Sequence, residues 1–255
     1  MSTKERRLRA FAEREKVFLD AARELIASNG MLNLQMQRVA HLCDYSVGTL
    51  YLHFTSKEDM LLALLTERAS ERIKLFQTVA RWQAGTRERM LGFVLADVIF
   101  ARQQPLFFHL HQYLTTQVIS AATSPSRRQQ AHEVHQPLAA IFEAVIREAQ
   151  ACGDLPSSSL SPFQIGSGLW ALSEGIHTLV HAEGLLDAYR IENPYQLLFQ
   201  HVNALLNGLN WQPMCDLNNA SSGQQLIECI VSAVFSDIDP LITAPLFSAI
   251  DQDSQ

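Results

Sequence analysis

Apolar residues recur at one helical turn along almost the whole chain. Val17, Phe18, Ala21, Ala22, Leu25 and Ile26 form the first stripe, and Asn29-Gly30 closes that helix. A short helix is expected over 36–43, with Met36, Val39, Ala40 and Cys43 on one face. Asp44-Tyr45-Ser46 reads as a tight turn before a second short helix at 47–52. Ser56 reads as the N-cap of a long helix running to about residue 82, with Asp59 at the capping-box position and Met60, Leu61, Leu64, Leu65 and Ala69 as its apolar residues.

The same spacing predicts helices over 86–103, ending before Pro105, and over 106–121. Pro137 is expected to kink or divide the helix over 127–152, and Gly153 to cap it. Ser161-Pro162 and Asn193-Pro194 pair an N-cap with a first-turn proline and open helices at 163–183 and 195–209. After a linker at 213–222, Leu226, Ile227, Ile230, Val231 and Val234 give one more amphipathic helix, and the last ten residues should fray. No strand is required, so the fold class is all-α. The chain divides into a small head (1–56), a larger helical body (57–212) and a C-terminal extension (213–255).

Composition narrows this further. Of the 255 residues 47% are hydrophobic and 18% charged, which suits a sizeable core and argues against disorder. Four widely spaced cysteines form no CxxC pair, which excludes a disulfide scaffold or zinc ribbon and fits a reducing, cytoplasmic compartment. The N-terminus is charged and no apolar run is long enough to span a bilayer, so neither a signal peptide nor a membrane partner is expected. The charge is uneven: residues 1–60 hold 9 Lys/Arg against 8 Asp/Glu, the remainder 11 against 18. An acidic chain approaches nucleic acid only through an end that escapes that bias, and this head does.

Two short helices joined by a tight turn suggest a helix-turn-helix reader of double-stranded DNA. At helical spacing Leu50 and Phe54 face inward, leaving Thr49, Tyr51 and His53 to reach phosphates and Val47 and Gly48 near base edges. Lys57, in the first turn of the next helix, would hold a phosphate together with that helix's N-terminus.

These residues carry a resemblance. Ala21-Ala22-x-x-Leu25-Ile26, Gly30, Met36-x-x-Val39-Ala40 and the run Ser46-Val47-Gly48-Thr49-Leu50-Tyr51-Leu52-His53-Phe54-x-Ser56-Lys57-Glu58-x-Met60-Leu61 closely resemble the DNA-binding head of the TetR family of transcriptional regulators. The resemblance covers about 50 residues; the body matches only in being helical. It implies a homodimer on a near-palindromic operator, dimerising through the helices at 163–183 and 195–209, and a body that binds a small, largely apolar effector. By position, Thr49, Tyr51, His53 and Lys57 would contact phosphate, Val47 a base, and Gln35 would open the first short helix where a small hydroxyl residue is usual. Ser46 and Gly48 complete the expected contact surface. There are departures: Asp44 stands in the turn where glycine is frequent, Arg38 replaces a usual acidic residue and adds a phosphate contact, and Leu52 replaces a basic or polar one.

For the effector, Phe107, Phe108, His111 and Tyr113, with Phe142, Trp170, Glu174 and His177, supply aromatic walls and a few polar groups. Glu174, His177 and His181 share a helix face at metal-ligand spacing, but polar lining of a pocket or seam is the preferred reading, and no metal or cofactor is expected. The expected function is a homodimeric repressor released from DNA by an inducer, and not an enzyme. Two alternatives stay open: a helical small-molecule enzyme or carrier, and an adaptor whose head no longer binds DNA.

Overall fold

Ser2 opens the first helix, α1 (Thr3–Asn29), by a reciprocal cap: its hydroxyl accepts from Glu5 N, and the Glu5 carboxylate accepts from Ser2 N. The computed structural model describes residues 2–114, 121–182, 184–217 and 220–243, with backbone alone for 220–222. A 3-10 turn (Met31–Asn33) follows, then α2 (Met36–Leu42), α3 (Val47–Tyr51), α4 (Lys57–Glu67), α5 (Ala69–Arg81), α6 (Thr86–Gln103) and α7 (Pro105–Leu114). Beyond these lie α8 (Pro125–Cys152), α9 (Pro162–Val180), α10 (Leu185–Ala188), α11 (Pro194–Gly208), α12 (Ala220–Val234) and α13 (Pro240–Thr243). Among the described residues no strand occurs, and no single helix is long and apolar enough to cross a membrane. The chain forms two compact units, Met1–Ala69 with Leu110–Val134, and Ser70–His109 with His135–Gln255.

In the first unit Phe18, Ala22, Val39, Ala40, Leu50, Phe54, Met60 and Leu61 form the buried centre. Asp44 sits at φ +55, so the turn between α2 and α3 takes the left-handed conformation that Asp tolerates. Ser56 caps α4, accepting from Asp59 N. The return half of the expected capping box lands one residue earlier: the Asp59 carboxylate accepts from Thr55 N and the Thr55 hydroxyl, and also from Ser124 N at 2.6 Å. Burial pushes the Asp59 carboxyl up, but these hydrogen bonds outweigh it and leave the group below its ordinary value. Arg127, at the start of α8, pairs with Glu15 at 2.9 Å and lies 5.3 Å above the Phe54 ring.

The second unit is built round α6, buried on every side from Thr86 to Ala101 apart from Glu88. Phe93 stacks with Phe76 and Phe142, and Val145, Ile146, Leu169, Leu198, Val202 and Trp211 close the core. The buried Arg87 guanidinium is satisfied by oxygens alone, donating to Trp211 O, Asn203 O and Oδ1, and Asn207 Oδ1. Ile227 and Ile230 of α12 join this core, so the C-terminal helix packs on α6. Gly92 makes room for that packing: a Cβ there would lie 2.8 Å from Val79 Cγ1 and 3.8 Å from Ile230 Cγ2. Gly92→Ala is therefore expected to destabilise the fold by about 1–3 kcal/mol through overpacking, despite alanine's better helix propensity. Chemical denaturation of the two proteins checks this.

Four expectations need correction or closer bounds. The long helix over 57–82 is two helices, broken at Arg68. Thr66 contributes to the break, because its hydroxyl donates back to Ala63 O and so competes with the helical ladder. Pro137 does not divide α8, which is continuous and ends at Gly153 with φ +88. The linker at 213–222 gives way to helix at Ala220. The helix over 106–121 is described only to Leu114 and at Ala121, and the expected frayed end lies outside the described residues.

Candidate nucleic-acid interface and effector site

The head presents α3 through two inward anchors. Leu50 and Phe54 are fully buried, which turns Tyr51 (45% exposed) and Leu52 (76% exposed) outward. Ser46 caps α3, accepting from Thr49 N at 3.1 Å and sharing a 2.8 Å hydrogen bond with the Thr49 hydroxyl. Gly48 is exposed and Val47 half-buried in the first turn of α3. Gln35 and Arg38 are exposed, Arg38 on α2 and Gln35 at its cap position without a side-chain capping bond. Lys57 Nζ donates to Leu32 O at 2.8 Å, which holds its ammonium beside the N-terminus of α4.

His53 departs from the expected surface role. Its ring is buried, stacked 3.8 Å from the Phe11 ring and edge-on to Phe18, with Nδ1 3.8 Å from a Glu15 carboxylate oxygen. Burial pushes the imidazole pKa down. His53 is thus a packing residue joining α1 to the end of α3. The cause is that α1 extends fourteen residues N-terminal to the apolar stripe that begins at Val17, and this charged stretch carries Phe11.

In the second unit Phe107 and Phe108 are buried. The rings of Phe100 and Phe107 lie 4.8 Å apart, and Phe108 packs 4.2 Å from His177. His177 is 1% exposed, with Nε2 3.4 Å from Asp97 Oδ2 and Nδ1 3.5 Å from the Tyr195 hydroxyl. Arg72 pairs with Asp97 through two nitrogens, at 2.6 and 2.9 Å. Burial alone would raise the Asp97 pKa, but Arg72 and His177 outweigh it and hold the carboxyl at about 2. Tyr195 is pushed up to about 12, chiefly by burial, and Arg102 is its cationic neighbour. His181 lies 4.5 Å from His109 ring to ring, and burial followed by the neighbouring histidines pushes its pKa down.

The expected effector residues fall in different places. Phe107, Phe108 and His177 form one cluster. Phe142 belongs to the packed stack with Phe76 and Phe93. Trp170 is 53% exposed and donates to Glu174 Oε1 at 3.0 Å. His111 and Tyr113 belong to the first unit, where burial and Glu58 push the Tyr113 phenol up. Among the described residues no three His, Cys, Asp or Glu side chains converge as a metal site. Sequence reasoning missed Arg72, Asp97, Arg102 and Tyr195. The signal for Asp97 was present: it is the one carboxylate in the apolar stretch 90–101 of a wholly buried helix.

A helix-turn-helix with its second helix turned outward, carried on a helical body, defines the class: a DNA-binding transcriptional regulator. Residues 18–64 match the family model of bacterial regulatory proteins, tetR family. The head is therefore similar to that of the TetR family of transcriptional regulators. It is 27% identical over 137 residues to the fatty acid metabolism regulator protein of Bacillus subtilis, covering 54% of this chain and 68% of that protein. It is 36% identical over 92 residues to the transcriptional repressor KstR of Mycolicibacterium smegmatis, covering 36% and 45%. Its fold is similar to a TetR/AcrR-family regulator of Thermobifida fusca, with TM-score 0.57 and 19% identity over 77% of this chain and 98% of that one. FadR of Bacillus subtilis in complex with stearoyl-CoA gives TM-score 0.52 and 18% identity over 86% and 98%.

Proposed function

We propose that this regulator is a homodimeric repressor that leaves its operator when an apolar small molecule occupies the second unit. The observation that carries the DNA half is the outward face of α3, with Val47, Gly48, Tyr51 and Leu52 fixed by the buried Leu50 and Phe54. In this reading Tyr51, Thr49, Ser46, Arg38, Gln35 and Lys57 position the head on phosphates, while Val47 and Gly48 face base edges. His53 supports α3 from inside. The head residues fall within 1–56, the effector residues within 57–212, and α12 of the extension packs on α6.

Dimerisation through α9 and α11 is supported by their shared exposed surface, including Phe163 and Trp170 on α9 and Gln200, His201 and Ala204 on α11. Not all the small residues of α9 serve that face. Gly168 gives close approach to Leu205, where a Cβ would lie 3.2 Å away, and Gly166 faces Ile146. The effector reading rests on the aromatic cluster of Phe100, Phe107 and Phe108 beside a small polar group, which suits a molecule with a long apolar part. A fatty acyl compound is the favoured class, in keeping with the names of the Bacillus subtilis relatives. The effector acts by binding better to a form whose heads no longer match operator spacing. Function in the cytoplasm, without catalysis, follows from this role.

Selection of bound duplexes from a random pool tests the reading. An inverted repeat with half-sites about one DNA turn apart is expected. Val47→Ala should change the preferred bases within each half-site while leaving non-specific affinity within about twofold, since phosphate contacts carry no sequence information. Recovery of no enriched sequence at low salt contradicts the proposal.

A further inference from the structure

We infer, resting on the DNA-facing role of α3, that each head makes a second contact with the DNA backbone through a basic face of α1 formed by Lys4 and Arg7. Residues 3–16 hold six Lys or Arg against three Glu. All three carboxylates are engaged. Glu5 accepts from Ser2 N at 2.7 Å, Glu13 pairs with Arg9 at 2.9 Å, and Glu15 pairs with Arg127 at 2.9 Å. Lys4, Arg6 and Arg7 are exposed, and their side chains make no ion pair or hydrogen bond among the described residues. Lys4 and Arg7 stand three apart, so two like charges are neighbours on one helix face, which disfavours the helix slightly. An anion lying along that face reverses the sign.

The packing of α1 sets where this face points. Lys4, Arg7, Phe11, Arg14 and Phe18 follow one another at three and four residues, so they share one side of the helix. The later members of the row pack along α3. Phe18 lies edge-on to Tyr45 and His53 at 5.3 and 5.4 Å, the Arg14 guanidinium sits 5.5 Å above the Tyr45 ring, and Phe11 stacks on His53 at 3.8 Å. Tyr45 precedes the Ser46 cap of α3 and His53 follows its last turn, so the row is held against both ends of that helix. Arg14 Nε is buried with no hydrogen bond, so that cation too is held by a ring and not by a carboxylate. Arg7 and Lys4 lie about 6 and 10 Å further along the axis than Phe11, at about 1.5 Å per residue. They leave α1 on the side that carries α3 and reach past its His53 end, where the backbone that meets Tyr51 continues. Arg9 is turned about 200° from Arg7, and its charge is already met by Glu13. A nucleic-acid strand, with one negative charge about every 3.4 Å, is the anion that fits a row of unpaired cations beside a reading helix.

Anisotropy titration of the full chain at several salt concentrations, on a duplex recovered by selection, tests this. The slope of log affinity against log salt should flatten by about 1 for each head in Arg7→Gln, and by about 2 for each head in Lys4→Gln/Arg7→Gln, because each phosphate contact releases a counterion. Arg7→Lys should keep the wild-type slope. Arg9→Gln removes the same formal charge from another side of the same helix and should leave the slope unchanged. Ethylation of phosphates flanking each half-site should impair wild type and no longer impair the double variant. Unchanged thermal unfolding of each variant excludes collapse of the fold. Equal slopes in wild type and the double variant overturn the inference. Equal flattening by Arg7→Gln and Arg9→Gln also overturns it, by reducing the effect to the net charge of α1. So does a double variant that loses binding to phosphatidylglycerol vesicles but keeps the wild-type slope on DNA, which would assign the face to a membrane surface. A double variant without effect, beside a Tyr51→Ala that weakens binding, sinks this contact and keeps DNA reading by α3. Wild type that binds no duplex sinks both.

Discussion

Tyr51→Ala should weaken DNA binding by roughly 100-fold while leaving the fold intact. Tyr51 is 45% exposed on a helix anchored by Leu50, so its ring contributes little to the core. A hydrogen bond to a charged group is worth about 1.5–3 kcal/mol. A dimer makes the contact twice, so a loss of about 3 kcal/mol is expected, which is on the order of 100-fold in affinity. The phenol carries no charge, and the slope of log affinity against log salt should stay unchanged. Lys57→Met should also weaken binding, but it should flatten that slope by about 1 for each head, because each ammonium displaces a condensed counterion. Anisotropy titrations at several salt concentrations separate the two effects. Equal slopes in wild type and Lys57→Met would place Lys57 off the phosphate backbone and in its intrachain bond to Leu32 O.

The second large effect is expected in stability. Arg72→Met leaves the Asp97 carboxylate buried without its cationic partner, and should cost about 3–5 kcal/mol at neutral pH. Asp97 also gives the fold a pH dependence of definite sign. Its folded pKa, held at about 2, lies below the ordinary value of 3.8, so its contribution is fully present above about pH 4. That contribution, about 2 kcal/mol, is lost as pH falls through about 2. In Arg72→Met the sign reverses, because the unpaired buried carboxyl is more easily accommodated when protonated. The stability gap between wild type and variant should therefore narrow as pH falls from 5 to 2, which denaturant unfolding at each pH measures. A gap that stays constant across this range would show that the pair contributes nothing through charge.

The head was largely legible in sequence because its signals are local. Ser56 caps the helix that its position announced, Asp44 adopts the left-handed turn, and Leu50 and Phe54 anchor α3 as their spacing required. His53 was misread because its neighbour is distant in sequence: Phe11 lies in a charged stretch with little apolar periodicity, and only the length of α1 brings that ring to the imidazole. The break at Arg68 was hidden for the opposite reason. Residues 57–82 are helical throughout in local preference, and neither glycine nor proline marks the interruption.

The proposed effector region was less legible. The aromatic run at 107–108 lies in the ring cluster, but the polar groups beside it come from α5, α6, α9 and α11. Arg72, Asp97, His177 and Tyr195 span more than a hundred residues, and no spacing rule links them. Periodicity also could not separate Phe142, which packs in the core, from Phe108, which borders the polar cluster, because both occupy inward positions on their helices.

Hydroxyl-radical footprinting on a duplex recovered by selection is the most direct test that this chain reads DNA through paired heads. Two protected patches about one helical turn apart on one face of the duplex are expected. Both should disappear together in Tyr51→Ala at the same protein concentration. Uniform weak protection along the duplex, or a footprint unaffected by Tyr51→Ala, would contradict DNA reading by α3.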